Sequence, residues 1–235
     1  MHQPQTVHLI GGGPGTLRAL RRHFRAALEG VGTGRPLVAY VGAASNDNRA
    51  FYTMIRGGLA LSGARFRMAK MASSRASAAD ARALLEECDL VFVSGGDVDH
   101  GMRVLRDKDM VATFRRLARA GKPMFGISAG SIMLAREWVR FPDDDEAKAE
   151  LFPCLAIAPA YVDAHAEADG WSELRILLGL LHRRGDRDVV GHGLTQAGGL
   201  RVTLDGDDVT MHAIGTPIPR FVVHRDQVVP AAAVR

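Results

Sequence analysis

Ser128 sits in Gly126-Ile127-Ser128-Ala129-Gly130-Ser131, a G-x-S-x-G pattern that follows the apolar run Met124 to Ile127 and precedes Ile132 to Trp138. A strand, a sharp turn of small residues and a helix are the context in which a serine hydroxyl is lifted out as a nucleophile. The Ala129 amide, at the helix start, is then free to donate to a developing oxyanion. A second run, Val91-Phe92-Val93-Ser94-Gly95-Gly96-Asp97, ends another short apolar segment in glycines. Uncovered main chain there makes the Gly96 amide, or that of Asp97, a candidate second oxyanion donor.

A serine nucleophile needs a base, and the chain has nine histidines. His2, His8 and His23 read as terminal, strand-bound or helical, and His182 as a helix-end residue. His165 differs, because Tyr161 to Asp169 interleaves polar and small residues. If extended, that segment puts Asp163, His165, Glu167 and Asp169 on one side. Imidazole accepts the Ser128 proton and a carboxylate orients it. The same row also fits a metal site or the solvent face of a strand, and the expectation is a base with no metal and no cofactor. Gly11-Gly12-Gly13-Pro14-Gly15 lacks the dinucleotide spacing and the Walker lysine, so it reads as a tight turn lining a crevice.

These residues need a scaffold that brings strand ends together. Apolar runs at 7–10, 37–41, 65–69, 90–93 and 124–127 alternate with helical periods at 16–28, 49–61, 81–87 and 110–120. That alternation predicts a three-layer, doubly wound, mostly parallel α/β sheet of the flavodoxin-like kind. In such a sheet, loops at the carboxyl ends of neighbouring strands share one crevice. Beyond Arg140 the segment 141–150 reads as an exposed acidic loop and 171–181 as a helix. The short runs at 189–194, 200–204, 209–214 and 221–223 read as strands completing the same sheet. No linker is evident, and residues 1–235 read as one domain.

Composition narrows the partners. Thirty Lys and Arg against 26 Asp and Glu give a net charge of +4. Only Lys70, Lys108, Lys122 and Lys148 are lysines, and the arginines are scattered among acids, with 6% aromatic residues. A concentrated basic footprint is missing, so nucleic acid is not an expected partner. No apolar stretch approaches a membrane span. Cys88 and Cys154 lack metal-type spacing and read as free thiols in a reducing, cytoplasmic setting. A two-fold homodimer through an edge strand is compatible with this fold.

Taken in order, Gly11 to Gly13, Val91 to Asp97, the Gly126 to Ser131 elbow and Asp163-Ala164-His165 resemble the S51 serine peptidase family, which includes dipeptidase E and cyanophycinase. The resemblance covers most of the chain and implies a class I glutamine amidotransferase-like fold. It implies Ser128 as nucleophile, His165 as base, and Gly96 with Ala129 as oxyanion-hole amides. An arginine holding an acidic substrate group is implied too, with Arg49 and Arg103 as candidates. Gly191 to Ala197 resembles a late turn of cyanophycinases, with Thr195-Gln196 where those carry an Asp-Glu pair. Gln196 would then orient the histidine, or Glu167 or Asp163 in its place. Asp97 puts negative charge near the oxyanion hole, which disfavours the transition state unless it points away or contacts a cationic substrate group. With Asp97 and Asp163 as substrate-binding candidates, and with the acidic 143–146 loop, Glu167 and Asp169 nearby, a substrate carrying an amino or guanidinium group is as credible as an aspartyl one. The expected function is hydrolysis of small peptides or peptide-like amides through an acyl-enzyme. A glutaminase of the usual kind would need cysteine at 128. The alternatives are a hydrolase outside peptide chemistry, or a non-catalytic ligand-binding or regulatory protein on the same fold.

Overall fold

The computed structural model describes residues 4–13, 16–29, 31–32 and 34–235. His2, and the Pro14-Gly15 part of the first glycine-rich turn, lie outside these described residues. The first half of the chain runs β1 (Gln5–Ile10), α1 (Leu17–Leu28), β2 (Leu37–Val41), α2 (Arg49–Gly58), β3 (Arg65–Ala69), α3 (Ala78–Glu87), β4 (Leu90–Val93), α4 (Val98–Asp107), α5 (Val111–Arg119), β5 (Met124–Ile127) and α6 (Ala129–Leu134). The second half runs β6 (Glu137–Arg140), β7 (Glu150–Pro153), β8 (Tyr161–Ala164), α7 (Ser172–Arg184), β9 (Val190–Leu194), β10 (Gly199–Asp205), β11 (Asp208–Ile214), β12 (Ile218–His224) and β13 (Gln227–Val234).

Seven strands form the main sheet in the order β11-β10-β1-β5-β4-β2-β3. The five from β1 to β3 are parallel, and β10 and β11 add antiparallel to the β1 edge. Both faces are covered, which is why these strands are apolar without a break. Val38, Tyr40, Phe92 and Phe125 meet Leu20 and Phe24 of α1 and Ile55 of α2 on one face. Ala39, Val41, Val91 and Val93 meet α3, α4, α5 and α6 on the other. The expected doubly wound architecture is what this chain builds.

Three local expectations give way. The late strands divide between two sheets: β10 and β11 join the main one, whereas β9 and β12 form a second with β8 and β13, in the order β13-β12-β9-β8. Gly191, without a side chain, leaves room for Leu174 and Leu178 of α7, which cover this second sheet. The elbow helix stops at Leu134 instead of running on to Trp138, because Ala135 turns extended and 137–140 pairs with 150–153. Residues 98–107 form a helix that the apolar pattern did not announce, with Asp97 as its N-cap.

The strand ends are fastened to one another at the elbow. Ser131 is fully buried, and its Oγ accepts from Ile10 N–H at 2.9 Å and donates to Ile10 C=O at 2.9 Å. Ser128 N–H adds a bond to the same carbonyl at 3.0 Å. Ser131→Ala leaves the Ile10 amide buried without an acceptor, and the expected loss is about 1–3 kcal/mol in a urea-unfolding free energy. A change below about 0.5 kcal/mol would show that the end of β1 is held by packing alone.

Candidate active site

Ser128 is the residue between β5 and α6, with φ 53° and ψ −125°. A side chain at positive φ costs about 1–3 kcal/mol and persists only where the surroundings enforce it. Here the enforcement is steric. A Cβ on Gly130 would lie 2.2 Å from the Val93 carbonyl oxygen, and one on Gly126 would lie 2.7 Å from Ser131 Cα. The two glycines of the motif therefore let the turn press against β4 and against its own helix. That close packing projects the serine side chain outward.

His165 follows β8 at once, with φ 49°, and its amide donates to Leu194 C=O at the end of β9 at 2.8 Å. Its Nε2 lies 2.9 Å from Ser128 Oγ. A hydroxyl and an imidazole at this distance are in position for proton transfer from a nucleophile. The two residues come from different sheets, so the contact exists only because the second sheet docks beside α6.

Gly95 and Gly96 line the same cleft as Ser128. Gly95 packs close to the serine: a Cβ there would lie 3.1 Å from Ser128 Cβ. Gly96 has φ 141°, and a Cβ on it would lie 2.0 Å from Ala44 C=O, so no other residue fits. Ala129 occupies the first position of α6, where an amide has no intrahelical acceptor. The Asp97 amide is already spent, donating to Ala44 C=O at 2.9 Å.

Other expected site residues fall elsewhere. The row Asp163, His165, Glu167, Asp169 does not share one side, because the strand ends at Ala164 and 167–170 is a turn. Asp163 is 7% exposed and faces the start of α7, with one oxygen accepting from Ala164 N–H and the other unpartnered. Burial, together with the nearby Glu173 and Asp169 carboxylates, pushes its carboxyl up to about 7. Asp97 does not present its charge to an oxyanion: its carboxylate caps α4 through His100 N–H at 2.6 Å. Arg103 pairs with Asp99 one turn away, and Arg49 lies at the exposed start of α2; neither lines the cleft in front of Ser128.

Glu167 and Gln196 do meet, but not at the histidine. Glu167 Oε1 accepts from the Gln196 backbone N–H at 2.7 Å, and the Gln196 side chain lies over Gly13. Among the described residues none hydrogen-bonds His165 Nδ1, so the contact shown is that of a serine-histidine pair. Glu167 fastens the 195–198 turn to the loop that carries His165, a positioning role.

The cleft holding Ser128, His165, Gly95 and Gly96 has a volume of about 1050 Å³. Its walls, Leu17, Leu20, Phe51, Met54 and Ile55, come from α1 and α2. Sequence reasoning passed over these residues because they obey ordinary helical periodicity. The only available sign was that α1 and α2 both begin beside carboxyl ends of central strands. Among the described residues no group of three or more His, Cys, Asp or Glu has metal-binding geometry. No described helix is long and apolar enough to cross a membrane.

An Asp163→Asn variant isolates the buried carboxyl. The folded-state value lies above the unfolded one, so the native state binds more protons between about pH 4 and pH 7 and stability falls as pH rises through that window. The variant, lacking the charge, is expected to gain on the parent protein from pH 5 to pH 8 in thermal unfolding. A stability difference independent of pH would show that Asp163 stays ionised throughout.

Comparison with known proteins bears on the fold and the family. A crystal structure of a peptidase from an acI-B1 Actinobacterium superposes with a TM-score of 0.72 at 16% identity, covering 99% of this chain and 97% of that one. A putative peptidase E protein from Listeria monocytogenes EGD-e gives 0.64 at 15% identity, covering 90% and 100%. Those two likenesses concern the fold. A pyridoxal 5'-phosphate synthase subunit PdxT of Bacillus thuringiensis (strain Al Hakam) is 36% identical over 59 residues, 25% of this chain and 30% of that protein. The match therefore spans less than a third of that curated relative. The family model of peptidase family S51 matches residues 7–192, a stretch that contains both Ser128 and His165, and this chain belongs to peptidase family S51.

Proposed function

We propose that this protein is a serine hydrolase that cleaves small peptides or peptide-like amides, with Ser128 as nucleophile and His165 as its base. The observation that carries the reading is the 2.9 Å contact between Ser128 Oγ and His165 Nε2, made by a serine held at positive φ inside a large cleft. Membership of peptidase family S51 supports a peptide-cleaving hydrolase. The positions of individual roles rest on the geometry.

Ser128 Oγ attacks the substrate carbonyl as its proton passes to His165 Nε2. The resulting oxyanion is received by the Gly96 and Ala129 amides, whose direction is fixed before the substrate arrives. Collapse returns the proton to the leaving amine and leaves an acyl-enzyme, which a water activated by the same histidine hydrolyses. Among the described residues no carboxylate hydrogen-bonds Nδ1, so the pair is expected to work without a third acidic member. Two buried free thiols, Cys88 and Cys154, suit a reducing, cytoplasmic setting. The exposed outer edge of β11 is where a two-fold homodimer would form.

Intact-mass detection of a fluorophosphonate adduct tests the pair directly. The wild-type protein is expected to gain one adduct, Ser128→Ala none, and His165→Ala one formed at least about a hundredfold more slowly. Absence of an adduct on folded wild-type protein would favour a non-catalytic ligand-binding role for the cleft.

The Glu167–Gln196 contact generates a second expectation. Gln196→Ala keeps the backbone N–H that Glu167 accepts from, whereas Glu167→Ala frees the turn. Glu167→Ala is therefore expected to lower the adduct-formation rate more than Gln196→Ala. The reverse order would mean that the Gln196 side chain swings onto His165 during catalysis.

A further inference from the structure

We propose that the cleft in front of Ser128 selects substrates by a large apolar side chain flanking the scissile amide, in place of an aspartyl or cationic one. This deepens the serine-hydrolase reading and rests on it for the chemistry, though not for the binding preference. Three observations point the same way.

The wall facing the candidate pair is apolar. Leu17, Leu20, Phe51, Met54, Ile55 and Ile127 line it, and among the described lining residues there is no carboxylate. Leu17 and Met54 are 43% and 59% exposed, so this apolar surface is open to a ligand and is not consumed by the core.

Thr16, Ser45 and Asn48 along the same cleft are uncharged, and each is anchored within its own turn. Thr16 Oγ1 donates to Gly13 C=O at 2.7 Å, Ser45 Oγ donates to Gly42 C=O at 3.2 Å, and Asn48 Oδ1 accepts from Phe51 N–H at 2.9 Å. Arg21 is the one permanently charged side chain among the described lining residues. Its Nε donates to Gly58 C=O at 2.8 Å, which ties it to the last turn of α2.

The charged residues considered for substrate binding, Asp97, Asp163, Arg49 and Arg103, all lie outside the cleft lining. Asp97 caps α4 and Arg103 pairs with Asp99. With a volume of about 1050 Å³ the cleft has room for a dipeptide or a somewhat longer peptide. Its continuity with Ser128 and His165 places such a side chain beside the reacting carbonyl.

The test compares a matrix of dipeptides carrying Leu, Phe or Met against the same frames carrying Asp or Arg. Two readouts are taken: Kd for Ser128→Ala by calorimetry, which needs no catalysis, and kcat/KM for the wild-type protein. Burial of one large apolar side chain predicts at least about a tenfold preference for the apolar set in both. Met54→Lys and Leu17→Asp change exposed positions and are expected to leave the fold intact while reducing that preference severalfold. Leu61→Lys, an equally surface-borne change outside the cleft, is expected to leave it unaltered. Equal affinity across the set, or tighter binding of Asp or Arg peptides, would overturn the proposal. The two readings fail separately: a fluorophosphonate adduct without an apolar preference sinks the specificity alone. An apolar preference in Ser128→Ala with no adduct on the wild-type protein sinks the hydrolase reading and leaves the cleft's ligand class standing.

Discussion

The site depends on one fastening. Ile10, at the end of β1, takes three hydrogen bonds from the elbow: two exchanged with the Ser131 hydroxyl and one from the Ser128 amide. These bonds are buried, where an unmet backbone group is most costly, so the turn after β5 cannot relax without exposing the end of β1. A serine at positive φ is otherwise an unfavourable conformation. It is kept because the alternative opens the centre of the sheet. Glycines at 126 and 130 make the same point sterically, since a methyl group at either position would enter the backbone of a neighbouring element.

From that fixed point the rest of the site is assembled by docking. His165, the proposed base, arrives on a different sheet, at the end of β8, and is held by one bond from its amide to Leu194. Of the proposed oxyanion donors, Gly96 arrives on the loop after β4, which leans on Ala44 just past β2, and Ala129 arrives with the elbow helix itself. Each contribution comes from a carboxyl end of a strand, as open α/β sheets dictate. Among the described residues none bonds the histidine's outer nitrogen, and the nearby carboxylates do structural work instead. Glu167 clamps a turn, and Asp163, buried against α7, is held toward its neutral form by desolvation and by two neighbouring acids. Proximity in sequence to a catalytic histidine is thus a poor guide to which acid serves it.

The charge distribution follows the same logic. Asp97 looked like an obstacle to an oxyanion hole, yet its carboxylate is turned to the first amides of α4, where helix geometry leaves donors unmet. Removing that charge from the cleft is what lets the apolar faces of α1 and α2 define its character.

The sequence by itself determined the parallel α/β core and the two residues that meet at the site. The apolar runs around β1 to β5 and the helical periods between them are local patterns, and the elbow needs only six consecutive residues to be recognised. Ser128 was legible because small residues and a sharp turn constrain a short window of chain, whereas His165 was singled out from an extended row that the structure does not form. Tertiary structure alone decided the remainder. Whether 189–194 and 221–223 joined the first sheet or a second was decided by which strands they pair with and by α7 packing over them, contacts across unrelated segments. The helix at 98–107 and the strand at 137–140 are set by a cap and by pairing with 150–153, neither of which leaves a periodic trace. The cleft wall is made of ordinary helix residues, Leu17 and Met54 among them, whose meaning comes from where two helices begin. Periodicity reports which face of an element is apolar; which neighbour that face meets, or whether it is left open beside a nucleophile, is fixed only when the elements pack.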